Sequence, residues 1–423
     1  MTVVIIMSAL FSLLLIRVPV AFALGGLGLA MLILGGFSPL MAPQAILSTL
    51  DGFILLAVPL FLLMSNVLLR AGVGQDLFAA VSAWVGHWPG GLAVATILSC
   101  GVFAAISGSS VATAATIGTV AIPEMIRRGY DKRFVYGLLA AGGTLGILIP
   151  PSIPMIIYGF VTEESVMALF MAGIGPGILL IVFFIVFSMI YGALGGQERE
   201  ARQNWVERKR ATLKALPAMI LAAVIIAGIY SGAFTPTEAA AIGFAVALIL
   251  TGPVMRTLTW DNLKKAVFES MATTVAILLI IAGAKVFGKA ITLYRIPQDI
   301  SMLISQHIDT PVMFIIVISI VLLIMGLVFE ALSMVLIMTP VLLPSVLAMG
   351  FDPVWFGVYM VIMVECALIT PPVGLNLYVI QSVAKTRLGE VARGVLPFLL
   401  LMFLAAFVLY VWPDLALYIP FKM

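Results

Sequence analysis

Charge is what this sequence has least of: 10% of its 423 residues are Asp, Glu, Lys or Arg, against 63% hydrophobic residues and a mean hydropathy of +1.23. A soluble globule of this length could not be covered by so little polar material, which excludes a soluble enzyme. Cysteine and histidine are equally scarce, with two of each. Cys100 and Cys366 fall inside apolar segments, where a thiol behaves as a small hydrophobe, so a disulfide framework or thiolate metal site is disfavoured. His87 and His307 do not accompany the serines of the central polar motifs, which argues against an intramembrane hydrolase. No P-loop is present, and a nucleotide-driven pump is disfavoured with it. The net charge of +3 is a weak signal, since basic residues in membrane proteins chiefly set orientation; no nucleic-acid function is read.

What is present is a series of apolar runs near 2–16, 18–36, 51–70, 134–160, 166–194, 215–231, 237–254, 271–293, 355–384 and 394–412. Most approach the ~20 residues that a helix needs to cross hydrocarbon, and none alternates as an outer-membrane barrel strand does. The first run lacks a basic n-region and continues through Arg17-Val18-Pro19 into another, so it reads as a span rather than a signal peptide. Two further apolar stretches, 90–123 and 311–347, are interrupted at the middle by Ser107-Gly108-Ser109-Ser110 and Glu330-Ala331-Leu332-Ser333. Each reads as two half-helices meeting at a polar tip.

The chain repeats itself. Pro123 and Pro344, Gly129 and Gly350, Asp131 and Asp352, Pro150 and Pro371, and Pro151 and Pro372 are all 221 positions apart. Five spans lie between the two hairpins, an odd number, so the second copy is inverted relative to the first. The charges agree: the turn Arg127-Arg128-Gly129-Tyr130-Asp131-Lys132-Arg133 is basic, while its counterpart Met349-Gly350-Phe351-Asp352-Pro353 is not. The expected fold is an all-α polytopic membrane protein with about ten transmembrane helices and two re-entrant hairpins in an inverted-topology repeat. With the N-terminus outside, nearly every Lys and Arg falls inside; Arg295 and Lys422 fall outside, and Lys285 and Lys289 lie within a span. Both termini are then periplasmic.

The expected organisation is a first half at 1–195, holding hairpin 90–123 and broken helix 134–160. A basic loop at 196–214 links it to a second half at 215–423, with hairpin 311–347 and broken helix 355–384. The loop carries six basic and three acidic residues; it serves orientation, with anionic membrane lipid as its other candidate partner. Segments 73–86 and 260–270 suit amphipathic helices lying along the membrane face.

At each tip, unwound backbone leaves polar groups that hydrocarbon penalises unless a ligand or protein satisfies them. Ser107, Gly108, Ser109, Ser110 and Thr113 supply hard oxygens for a small cation, while half-helix N-termini favour an organic carboxylate. Close helix packing is the other reason to place small residues there. The Pro150-Pro151 and Pro371-Pro372 breaks free carbonyls opposite the tips. Thr144, Ser152, Thr370 and Asn376 add side-chain oxygens, and Gly374 permits close approach. A plain kink is the alternative. Glu330 is the most informative acid, since a charge at mid-membrane costs about 2.5–3.5 kcal/mol on insertion scales. Gly326 and Ser333 flank it. Glu365 lies near the second break, and Lys285 and Lys289 are open between ligand contact, snorkelling and a subunit interface. The candidate cation set is Ser107, Gly108, Ser109, Thr113, Thr144, Pro150, Gly326, Glu330, Ser333, Thr370 and Pro371. The candidate substrate set is Ser107, Ser109, Ser110, Ser152, Gly374 and Asn376.

These motifs carry a resemblance. Tyr230-Ser231-Gly232-Ala233-Phe234-Thr235-Pro236-Thr237-Glu238-Ala239-Ala240-Ala241, the Ser107–Ser110 tip, Arg17-Val18-Pro19-Val20-Ala21-Phe22, Val58-Pro59-Leu60-Phe61 and Thr370-Pro371-Pro372-Val373-Gly374-Leu375-Asn376 closely resemble the large membrane subunit of tripartite ATP-independent periplasmic (TRAP) transporters. The resemblance covers essentially the whole chain. It implies a sodium-driven importer of organic acid anions in the bacterial inner membrane, with no cofactor. A small four-helix membrane subunit and a periplasmic substrate-binding protein would be its partners, and an elevator-type motion of the hairpin block its mechanism. By position it implies that Ser107, Ser109 and Ser152 serve sodium and substrate and that Glu238 lies near the outer surface, where Arg295 is the other candidate for a partner contact. The family often has Asp where this chain has Glu330. A self-sufficient sodium–carboxylate symporter shares the hairpins, and a structural scaffold is the third reading.

Overall fold

Helix boundaries reproduce the sequence repeat. In the computed structural model, which describes residues 2–195 and 201–422, all regular structure is helical. The first half comprises α1 (Thr2–Leu15), α2 (Val20–Leu34), α3 (Met41–Leu50), α4 (Ala57–Arg70), α5 (Val73–Val85), α6 (Gly91–Ser107), α7 (Ser110–Arg127), α8 (Lys132–Leu148), α9 (Ile153–Thr162) and α10 (Val166–Leu194). The second comprises α11 (Trp205–Tyr230), α12 (Pro236–Ile249), α13 (Trp260–Leu293), α14 (Ile296–His307), α15 (Pro311–Met325), α16 (Ala331–Ala348), α17 (Pro353–Leu368), α18 (Leu375–Ala384), α19 (Leu388–Val411) and α20 (Asp414–Lys422). Helices α7 and α16 begin and end 221 positions apart, and the motifs around them explain the conserved spacing. Gly129 and Gly350 take φ of +79° and +80° just past each helix, where a Cβ would be strained. Asp131 then caps α8 through the Phe134 N–H at 3.1 Å, and Asp352 caps α17 through the N–H groups of Val354 and Trp355 at 2.8 and 3.0 Å.

Both hairpins and both broken helices are present. Helices α6 and α7 turn at Gly108, and α15 and α16 turn across Gly326–Glu330. The pair α8 and α9 bends by 41° at its break. Both Pro-Pro bonds, Pro150–Pro151 and Pro371–Pro372, are cis. Five crossings separate the hairpins, namely the α8–α9 pair, α10, α11, α12 and α13, all long and apolar enough to span. Their odd number inverts the second copy.

Among the described residues, seven single helices have the length and hydropathy of a span, or eight with the bent pair. One of them, Ala331–Ala348, is an arm of the second hairpin. Three of the ten expected crossings fall outside these: α1 and α2 are shorter helices, and the α17–α18 pair is divided by the break at 369–374. Exposed apolar stripes mark the lipid-facing sides, such as Ile178, Val182, Val186 and Ile190 on α10 and Ile316, Ile320 and Ile324 on α15. Such stripes at helical spacing suit a hydrocarbon solvent.

Two packed groups divide the helices. Helices α2, α3, α4, α12 and α13 pack on one another, with α11 against α12; helices α6 to α10 and α15 to α20 form the other group. In the first group small residues allow close crossing, as membrane packing requires. A Cβ on Gly28 would lie 2.8 Å from the Phe287 backbone. Gly28→Leu is accordingly expected to separate α2 from α13 and to remove the monodisperse peak of the detergent-solubilised protein in size-exclusion chromatography.

Two sequence expectations change. Residues 260–270 are not a separate surface helix: α13 runs unbroken for 34 residues, because no proline interrupts Trp260–Leu293. The second surface helix is instead α14, which packs on α16 as α5 packs on α6 and α7. The basic segment 196–214 is only partly loop. Its residues 196–200 lie outside the described residues, and α11 starts at Trp205 behind an Asn204–Glu207 capping box. There Trp84 of α5 donates to Thr212 at 2.9 Å and stacks beneath Arg208.

Candidate functional site

The first tip is a knot of hydroxyls and carbonyls. Gly108 takes φ of +59°, and a Cβ there would lie 2.6 Å from the Pro151 carbonyl oxygen. Ser107 and Thr113 share a hydrogen bond of 2.8 Å, and Thr113 Oγ1 donates to the Ser109 carbonyl at 2.8 Å. That carbonyl faces Gly146 of α8 so closely that a Cβ on Gly146 would lie 2.5 Å from it and 2.7 Å from Thr113 Oγ1. The Ser109 hydroxyl caps α7, and the buried Ser152 hydroxyl caps α9, accepting from the Met155 N–H at 3.4 Å. Hard oxygens thus converge between the tip and the first break.

Thr144 is not part of this knot. Two residues from Gly146 it points elsewhere, donating to the Ala141 carbonyl at 2.6 Å with Met402 of α19 beside it. Pro150 lines an apolar groove shared with α6, α10 and α11.

At the second tip a Cβ on Gly326 would lie 2.1 Å from that of Ala367, so α15 is pressed onto the end of α17. Thr370 donates to the Cys366 carbonyl at 2.6 Å. Glu330 occupies the N-cap position of α16 without capping it; its Oε1 accepts from Ser333 Oγ at 3.4 Å. Its side chain is exposed, as are Pro372 and Val373, whereas the first break is almost fully buried. The arms of the first hairpin pack on each other, while those of the second splay and each pack on α17.

A cavity of about 430 Å³ brings the two tips together. Gly108, Ser109 and Ser110 line it from one side and Glu330 and Ala331 from the other; Asn66 of α4 and Thr273 of α13 close it from the first helix group. The N-termini of α7 and α16 both border it. Their partial positive charge favours a carboxylate, and the volume suits a small organic molecule. Sequence reasoning missed Asn66 and Thr273; the lone amide in the apolar run of α4 was the available signal.

Three expected substrate contacts are engaged within the protein, Ser110 while also lining the cavity. Asn376 donates to Ser110, and Ser110 in turn donates to Glu365, inside the protein. Gly374, at φ of +25°, packs against Leu377 and the Leu368 carbonyl. Glu238 and Arg295 are exposed. Glu238 closes a capping box with Thr235, accepting its N–H and hydroxyl at 2.9 Å each, so the Thr-Pro-Thr-Glu motif is legible as a helix start. Lys285 and Lys289 line a second cavity of about 550 Å³ between α13 and the hairpin-bearing group, with Gln44 and Ser48. Among the described residues no three His, Cys, Asp or Glu side chains cluster as a metal site.

A multi-pass helical bundle with two opposed re-entrant hairpins and a cavity between their tips defines a membrane transporter of the inverted-repeat class. The family model described as "Tripartite ATP-independent periplasmic transporter, DctM component" matches residues 7–415. The C4-dicarboxylate TRAP transporter large permease protein DctM of Pseudomonas aeruginosa is 40% identical over 375 residues, covering 88% of this chain and 87% of that one. The sialic acid TRAP transporter large permease protein SiaM of Vibrio cholerae is 34% identical, covering 95% and 94%. In fold, the chain is similar to the crystal structure of the Alcanivorax borkumensis YdaH transporter, with a TM-score of 0.60 at 15% identity and coverage of 89% and 88%. This chain belongs to the DctM family, the large permease subunits of TRAP transporters.

Proposed function

We propose that this chain is the transport subunit of a sodium-coupled importer of an organic acid anion in the bacterial inner membrane. The cavity between the two tips is the observation that carries the reading: it joins hard-oxygen clusters to two helix N-termini that favour a carboxylate. The relatives' names point to C4-dicarboxylates and sialic acid, both carboxylates, as the substrate class. A periplasmic binding protein delivers the anion, a small four-helix subunit braces α2, α4 and α13, and the hairpin-bearing group moves past them as an elevator. The Lys and Arg distribution supports an orientation with both termini on the periplasmic side. Each sodium charge entering down the membrane potential contributes ~2.3 kcal/mol per 100 mV to accumulation.

Uptake in proteoliposomes tests this. With both partners present, wild type takes up labelled carboxylate when sodium is outside, and Ser109→Ala needs roughly tenfold more sodium, the change that one lost ligand of about 1.4 kcal/mol produces. Unaltered sodium dependence in Ser109→Ala would remove the Ser109 hydroxyl from the mechanism; uptake by the chain alone would replace the tripartite assembly with a self-sufficient symporter. The lysine-lined cavity lies toward the opposite end of α13 and serves as an anion vestibule. Lys285→Gln combined with Lys289→Gln is expected to raise the half-saturating substrate concentration about tenfold and to flatten its salt dependence.

A further inference from the structure

Ser110 of α7, Glu365 of α17 and Asn376 of α18 meet inside the protein, none more than 1% exposed. Their hydrogen bonds run in one direction. Asn376 Nδ2 donates to Ser110 Oγ at 2.5 Å and to the Ala140 carbonyl at 3.4 Å, and Ser110 Oγ donates to Glu365 Oε2 at 3.1 Å. Turning the amide over would set its oxygen against the Ala140 carbonyl and demand the one proton Ser110 gives to Glu365, so the direction is determined. Two acceptors are left over, Glu365 Oε1 and Asn376 Oδ1, both buried and without a hydrogen-bond partner.

Among the described residues no Lys, Arg or His forms an ion pair with Glu365. The N-terminus of α7, which starts at Ser110, offers only a partial positive charge. A buried carboxylate and a buried amide, linked through Ser110 and each with a bare oxygen, are costly as they stand. Two hard oxygens carrying a single negative charge match a small monovalent cation; a divalent ion seeks more carboxylate charge.

We propose that Glu365 Oε1 and Asn376 Oδ1 form a sodium-sized cation site, distinct from the two tips, with Ser110 holding both ligands in place. The site joins the first hairpin to the break of the second half, since Ser110 opens α7 and Asn376 follows Pro371-Pro372 by four residues. Occupancy fastens these two elements together, so that a cation bound in one half is felt in the other. The inference deepens the sodium-coupled reading and rests on it.

The test uses the full chain purified with its small membrane partner, without substrate. Sodium is titrated against N-methylglucamine at constant ionic strength while the thermal unfolding midpoint is followed. Glu365→Gln keeps the size and hydrogen bonding of a neutral carboxyl group but removes the charge. A sodium ligand there predicts that the variant needs at least about tenfold more sodium for half its stabilisation. A wild-type sodium curve in the variant would overturn the site, because Glu365 would then be a neutral hydrogen-bonding group. Should the variant not fold, wild-type Glu365 is probed directly by carbodiimide labelling and peptide mass spectrometry. Sodium, but not potassium, is expected to slow labelling; equal rates with and without sodium would reject the proposal. A wild-type protein that sodium neither stabilises nor protects would sink the sodium-coupled reading itself, whereas sodium stabilisation that survives in Glu365→Gln removes this site alone.

Discussion

Gly146→Ala is expected to cut sodium-dependent uptake severely while the protein still assembles with its partners. The added methyl would sit 2.5 Å from the Ser109 carbonyl oxygen and 2.7 Å from Thr113 Oγ1. Contacts that short force the tip and α8 apart by several tenths of an ångström. Ligand sets tolerate displacements of only about 0.5 Å before affinity falls. The strain falls on the oxygens that the proposed function assigns to sodium, and the hydrophobic contacts of α8 with α19 lie on its other side, so folding is affected less than binding. Uptake is expected to fall by about a hundredfold, equivalent to about 2.7 kcal/mol of lost cation binding. Gly389→Ala is the control, since nothing lies within 4 Å of its added Cβ. Thermal stabilisation by sodium should vanish in the first variant and persist in the second. Retention of both uptake and stabilisation by Gly146→Ala would show that the knot is packing alone.

The second large effect is at Glu330. Removing its carboxylate by Glu330→Ala should reduce uptake at least about a hundredfold, whereas Glu330→Asp should retain measurable transport. The carboxylate stands on the cavity wall beside the start of α16, with Ser333 as its hydrogen-bond partner and no ion pair among the described residues. An unpaired charge at mid-membrane is expensive and persists where it meets water or a transported ion. Glu330→Gln separates charge from shape. If charge matters, the glutamine behaves as the alanine does; if it transports like wild type, Glu330 serves only as a hydrogen-bonding group. Direct flux measurement in proteoliposomes distinguishes these outcomes, because assembly of the three variants can be checked on the same preparation.

Much of this architecture was legible because the repeat is written in turn chemistry. Glycines with positive φ, aspartate caps and paired prolines each have a narrow structural meaning, so their common offset located α7, α8, α16 and α17 before any coordinates. Where the chain lacks such punctuation, the reading was less sharp. Nothing breaks the helix between Trp260 and Leu293, and its polar start was mistaken for a separate element; α3 and α14, short and of mixed polarity, were not foreseen at all. Site residues divide similarly. The tips were marked by unwound, polar sequence, but the direction of a side chain within a helix is not. Thr144 and Gly146 are two positions apart, about 200° around the helix, and only the glycine faces the tip. The engagement of Ser110 with Glu365 and Asn376 depends on contacts across more than 250 positions of chain, which no local pattern records.

Because α13 is a single straight-through element that borders both cavities, it doubles as a ruler. Thr273 and Ile277 mark the cavity at the tips and Lys285 and Lys289 the lysine-lined one. At 1.5 Å of rise per residue the two marks are roughly 18 Å apart. On the proposed mechanism that distance separates the vestibule from the cavity at the tips, about three-fifths of a hydrocarbon core ~30 Å thick. A cysteine bridge pinning α16 to one mark on α13 would halt the proposed cycle at a known position along it.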